Sequence, residues 1–148
     1  MVLTMLMFNE NHASKFGLKE AIILHKIIFY VLLNKKDGRN RHRGRHWTFN
    51  GRKAWCAVFP CFSHMQIWRS LKSLEESGAL ISDSFNRKAY DKTRWYSLSD
   101  SMMHEVSRSK YWSKAICKTE THRNKTETPI PLNNIKENNN ILDEVKPY

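Results

Sequence analysis

Residues 17–34, GLKEAIILHKIIFYVLLN, limit the options of this chain more than any other stretch. Wound as an α-helix, the apolar positions of residues 18–33 cover nearly the whole circumference. A helix that is apolar all round must be buried on most sides. A membrane could bury it, but His25 and Lys26 stand at its middle, and the run is shorter than the ~20 apolar residues a span needs. It is therefore expected to be the central helix of a small soluble core. The rest of the 148-residue chain has to supply the cover, which suits one domain with a tail.

The flanking segments offer that cover in a definite order. NENHASKF (residues 9–16) reads as a short capped helix that stops at Gly17. NKKDGRNRHRG (34–44) is a polar, basic loop with two glycines, expected to be a flexible electrostatic arm. RHWTF (45–49) is a strand candidate, and NGRKAWCAVF (50–59) a brief helix with Asn50 as cap and Pro60 as stop. After the short turn FPCF (59–62), Ser63 and Gln66 have the spacing of a capping box, and Gly78 is placed to end the helix they begin. On that helix Ile67, Ser70, Leu71 and Leu74 share one arc facing the core. Met65, Arg69, Lys72 and Glu76 lie opposite, with Trp68 at one edge and Gln66 and Ser73 at the other. ALISDSF (79–85) and RWYSL (94–98) are strands joined by a basic tip, NRKAYDKT (86–93).

Helix, strand, helix, helix, strand and basic-tipped hairpin is the order of a winged helix-turn-helix in the α+β class. There the third helix reads DNA and the hairpin forms the wing. Residues 1–99 are assigned to this domain and 100–116, DSMMHEVSRSKYWSKAI, to a short helical extension. Residues 117–148 form a Thr, Asn, Lys and Glu-rich tail too poor in large apolar residues to offset ordering entropy, hence expected to be disordered.

Charge narrows the partner. The formal net charge is +11. Residues 1–99 hold 17 Lys/Arg against 7 Asp/Glu, whereas residues 100–148 hold 8 against 7, so the basic character belongs to the folded part. That favours a polyanion such as double-stranded DNA. Three cysteines, an odd number, fit reduced thiols in a cytoplasmic protein rather than a disulfide framework. The N-terminal MVLTMLMF lacks the basic start and cleavage site of a signal peptide. Cys56, Cys61 and His64 fall near, but not at, zinc spacings, and Cys56 is expected on a buried helix face, so no metal or other cofactor is expected. No phosphate loop, His-Glu-x-x-His or nucleophile elbow occurs, and an enzyme is not expected.

The segments KFGLKEAIILHKI, GRHWTFN, AWCAVFPCFSHMQIWRSLKSLEESGALI and FNRKAYDKTRWYSL together resemble the N-terminal winged-helix domain of phage and prophage replication proteins of the replisome-organiser type. The resemblance spans residues 6–98, with Trp55, Pro60, Ser63, Trp95 and Tyr96 its most specific positions. It implies DNA binding through residues 63–77 and the wing, recognition of an origin-like site in a phage genome, and recruitment of host helicase-loading proteins.

Candidate contacts follow from side-chain chemistry. Arg69 can reach guanine and Gln66 adenine in a major groove, with Ser73 beside them. Lys72 and His64 suit phosphate. Arg87, Lys88 and Lys92 would grip the backbone from the wing, and Arg41, Arg43 and Arg45 would raise affinity from the arm. Trp68 is expected to pack rather than to touch DNA. Two rival readings stay open: a small transcriptional regulator, for which a homodimer is the candidate assembly, and a module that inhibits a host protein through Met65 and Trp68.

Overall fold

The computed structural model describes residues 5–123. Helix α1 (Glu10–Phe16) begins at Asn9, whose side-chain oxygen accepts from the backbone N–H groups of Asn11 and His12. It ends at Gly17, where φ is +110°, a backbone conformation that favours glycine. Helix α2 (Leu18–Asp37) is the expected central helix, with Ile23, Leu24, Ile27, Ile28 and Val31 sealed from water. It runs four residues past the expected Leu33 and stops at left-handed Gly38.

Strands β1 (Arg41–His42) and β2 (Arg45–His46) pair as a hairpin, and β3 (Thr48–Phe49) follows after Trp47. The basic loop is therefore not a free arm, and the strand expected over 45–49 is broken at Trp47. Helices α3 (Arg52–Val58) and α4 (His64–Glu76) are joined by a tight turn in which Phe62 N–H donates to the Phe59 carbonyl. The capping box of Ser63 and Gln66 forms in full. At the other end Ala79 N–H bonds the Leu74 carbonyl and Gly78 N–H the Glu75 carbonyl, a Schellman stop at φ +87°.

Strands β4 (Leu80–Asp83) and β5 (Trp95–Leu98) are shorter than the sequence pattern allows and are antiparallel. The three-stranded sheet has the order β3-β5-β4, with Thr48 opposite Tyr96 and Leu80 opposite Leu98. Every residue of central β5 is buried. Its alternation divides two cores. Tyr96 and Leu98 join α2 and α4 in the main cluster with Ile67, Leu71, Leu74 and Phe59. Trp95 belongs to a second, aromatic cluster: it stacks on Phe49 at 4.2 Å and meets Phe85 and His42 edge-on, while His42 stacks flat on Phe85 at 4.3 Å.

This second cluster explains why the basic loop is ordered. Trp47 Nε1 donates to the His42 carbonyl, and Ser97 Oγ donates to the His46 carbonyl at 2.6 Å. The two-residue turn Arg43-Gly44 has positive φ at both positions, the requirement of a type I′ hairpin.

Two further helices, α5 (Asp100–Ser107) and α6 (Lys110–Arg123), replace the single short extension. Met102, Val106 and Trp112 pack into the main core, and His12 Nε2 lies 2.6 Å from Glu105 Oε2, tying α1 to α5. Helix continues past Cys117, where the composition places the start of the tail, as far as Arg123. The rest of the tail lies outside the described residues. The architecture is mixed α+β, and no helix among the described residues is long and apolar enough to cross a membrane.

His25 gives the fold a pH dependence. Its ring packs 4.6 Å from Trp112, and Nε2 lies 3.1 Å from the Tyr111 hydroxyl. Burial, then Lys26 and His12, drive the imidazole from 6.5 down to about 4. Above about pH 6.5 the ring is neutral in both folded and unfolded chains. Below that the unfolded chain gains the proton first, so the contribution to stability is lost as pH falls toward 4. Because the ring is only half-buried, the loss is expected to be ~1–2 kcal/mol. Urea melts of the wild type and of His25→Gln across this window check it: the variant should lose that part of the slope.

Candidate nucleic-acid interface

Most of the proposed contact residues fall on two adjoining elements. On α4, Arg69, Lys72 and Ser73 are exposed, while Ile67, Ser70, Leu71 and Leu74 are buried, so the helix is split as its periodicity requires. Buried Ser70 donates to Glu20 Oε2 at 3.0 Å, which fixes the rotation of α4 on α2. Gln66 is partly committed: its Oε1 accepts from Ser63 N–H at 2.9 Å, leaving its amide N–H groups for other partners.

The second element is the long loop between β4 and β5. Arg87, Lys88 and Lys92 are exposed on it, with Lys88 Nζ 5.7 Å from the ring centre of Tyr90. The loop is held by one residue that the sequence offered only as part of a polar tip. Asn86 Nδ2 reaches Ser84 Oγ, the Asp91 carbonyl and the Thr93 carbonyl at 2.7–3.0 Å, and Asn86 Oδ1 accepts from Trp95 Nε1 at 2.8 Å. Asn86→Ala is expected to cost ~2–3 kcal/mol, because it strands a buried indole N–H as well as loop carbonyls. Amide exchange over residues 87–93 should accelerate. Asn86→Asp, which keeps the acceptor for Trp95, should lose less.

The arm residues are placed differently. Arg43 pairs with Asp83 and lies over the Phe85 ring, and Arg45 pairs with Asp100 at 2.6 Å while donating to the Leu98 carbonyl. Arg41 is exposed. Two of the three arm cations thus carry intramolecular partners that the sequence does not reveal, since Asp83 and Asp100 are far along the chain.

Between α4, α3 and the loop runs a groove of about 230 Å³. Its floor is apolar, formed by buried Trp55, Ile67, Leu71 and Tyr96. Burial raises the Tyr96 hydroxyl above its usual range, with Arg94 opposing that rise and Glu75 adding to it. Trp68 and His64 form the α4 side of the groove, and the exposed cations Arg52, Lys92 and Arg94 border it. Trp68 is not packed as expected: it is 46% exposed, with Lys72 Nζ 5.3 Å from its ring centre. Cys56 is half-buried on the groove rather than sealed in the core. Arg52 and Arg94 were missed by sequence reasoning because one reads as the start of α3 and the other as part of a strand; packing brings both to the groove beside His64.

No group of three or more His, Cys, Asp or Glu side chains among the described residues is placed to hold a metal ion. Comparisons of the chain with protein-family models, characterised proteins and solved structures find no match.

Proposed function

We propose that this chain is a winged helix-turn-helix that binds double-stranded DNA in the initiation of phage or prophage replication. Helix α4 would enter the major groove, and the β4–β5 loop would lie on the adjacent backbone. The observation that carries the reading is α4 itself. It is capped at both ends, rotationally fixed on the core, and offers Arg69, Lys72 and Ser73 to solvent beside a loop bearing Arg87 and Lys92. The order α2, β3, α3, α4, β4, β5 with sheet order β3-β5-β4 supports it, as does the concentration of positive charge before residue 100. The replication context rests on the resemblance of four sequence blocks, as does the recruitment of host helicase-loading proteins.

The test is fluorescence anisotropy on labelled duplexes that tile the gene and its neighbours, against scrambled duplexes, over a salt series. A tight local site with a steep dependence on salt supports an initiator. Equal weak binding to every duplex leaves only a basic surface and defeats the proposal.

A further inference from the structure

A duplex held by α4 and the loop makes no use of the apolar groove between them. We propose that this groove is a binding site for one unpaired nucleotide unit, a planar nucleobase stacked on the Trp68 indole with its phosphate held by Arg52 and Lys92. Three independent features meet there. The first is size and lining. A volume of about 230 Å³ over an apolar floor is smaller than the ~300–1,000 Å³ typical of drug-sized ligands, and suits a single ring system.

The second is Trp68. The ring is 46% exposed at the groove with Lys72 Nζ 5.3 Å from its centre, and every nucleobase has a face to stack on it. Around it the charge is cationic. Arg52 and Lys92 meet no carboxylate among the described residues, while Arg94 is shared with Glu75 and Ser82. A phosphate-bearing ligand fits this border, and an acidic one is favoured over a neutral aromatic. The third is His64. Its Nδ1 is buried with no hydrogen-bond partner, the sole such side-chain nitrogen or oxygen among the described residues. His64 lines the groove, and a rotation of its ring would bring this unmatched nitrogen to a polar base edge.

This inference goes beyond the duplex reading, because it needs neither α4 in a major groove nor recognition of paired bases. The nucleotide could come from a free mononucleotide or from an unpaired position in a strand; the chemistry is shared. The experiment is titration of the full chain with oligothymidylate, with an abasic oligomer of equal length, and with thymidine monophosphate, following tryptophan fluorescence. The part belonging to Trp68 is obtained by difference with Trp68→Phe.

Oligothymidylate should quench Trp68 and bind ~5- to 150-fold more tightly than the abasic oligomer, the range expected for base–aromatic stacking. Trp68→Ala should erase that difference with little change in melting temperature, since the ring lies outside both cores. Lys92→Ala and Arg52→Ala should weaken both oligomers. Saturable quenching by the mononucleotide identifies the free source, and quenching by the strand alone identifies the unpaired position. Equal affinity for the two oligomers in the wild type overturns the proposal without reliance on any variant, and so does quenching that is the same in the wild type and in Trp68→Phe. A chain that ignores fully paired duplex yet responds to oligothymidylate would defeat the duplex reading and leave this site standing.

Discussion

Truncation of Trp95 to alanine is expected to cost ~3–5 kcal/mol, the range for removing a buried aromatic ring from a packed core. For a domain of this size that lowers the melting temperature by ~10–25 °C. The ring is 7% exposed, stacks on Phe49, meets Phe85 and His42 edge-on, and donates its N–H to Asn86. With Phe85 and His42 it ties together the β1–β2 hairpin, the sheet and the long loop. The loss should therefore be uneven. Amides of the hairpin and of residues 84–94 should exchange through local opening, while those of α2, whose core does not include Trp95, should still need global unfolding. Trp95→Phe should recover part of the stability but leave Asn86 without its indole donor. A uniform loss of protection across α2 and the hairpin would show that the two clusters are one cooperative unit.

Arg69→Ala is expected to weaken binding to a preferred duplex by ~1–3 kcal/mol, about 5- to 150-fold, and to weaken scrambled duplex much less. The side chain is exposed and outside the core, so melting should not change. Arg87→Ala on the loop should act otherwise, weakening all duplexes alike and reducing the salt slope by ~1 for one lost phosphate contact. Measured together by anisotropy over a salt series, the two variants separate base reading from backbone grip. If both behave identically, the division of labour between α4 and the loop is wrong.

The parts of the fold governed by local chemistry were readable in the sequence. Ser63, Gln66 and Gly78 mark the ends of α4, because capping is settled within four residues of chain. The all-round apolar run marks α2 as central, because burial is settled by composition. What escaped depended on partners distant in sequence. The stretch RNRHRGRH reads as a solvated arm, and only the packing of His42 against Phe85 and Trp95 turns it into a hairpin. Positive φ at Arg43, a non-glycine residue, gives no compositional hint of a type I′ turn. Likewise the run after Ser99 looks polar overall, yet Met102 and Val106 on α5 and Trp112 on α6 all pack into the core with α2. For the candidate interface, the split of α4 into a buried arc of Ile67, Ser70, Leu71 and Leu74 and an exposed face was legible, whereas the exposure of Trp68 was not. The groove was not, since Arg52, Trp55, His64 and Lys92 meet only after α3, α4 and the loop have packed.

The brace between the β1–β2 hairpin and the base of the long loop bears on the thermodynamics of association. A limb that swings freely must surrender its conformational freedom when it settles on a ligand, and that loss is subtracted from whatever its charges gain. Here the hairpin is immobilised during folding, by the stack of His42 on Phe85 and the bonds from Trp47 and Ser97. The neighbouring loop would therefore meet the proposed duplex preorganised, and calorimetry should record a small heat-capacity change on binding rather than the large negative one of coupled folding.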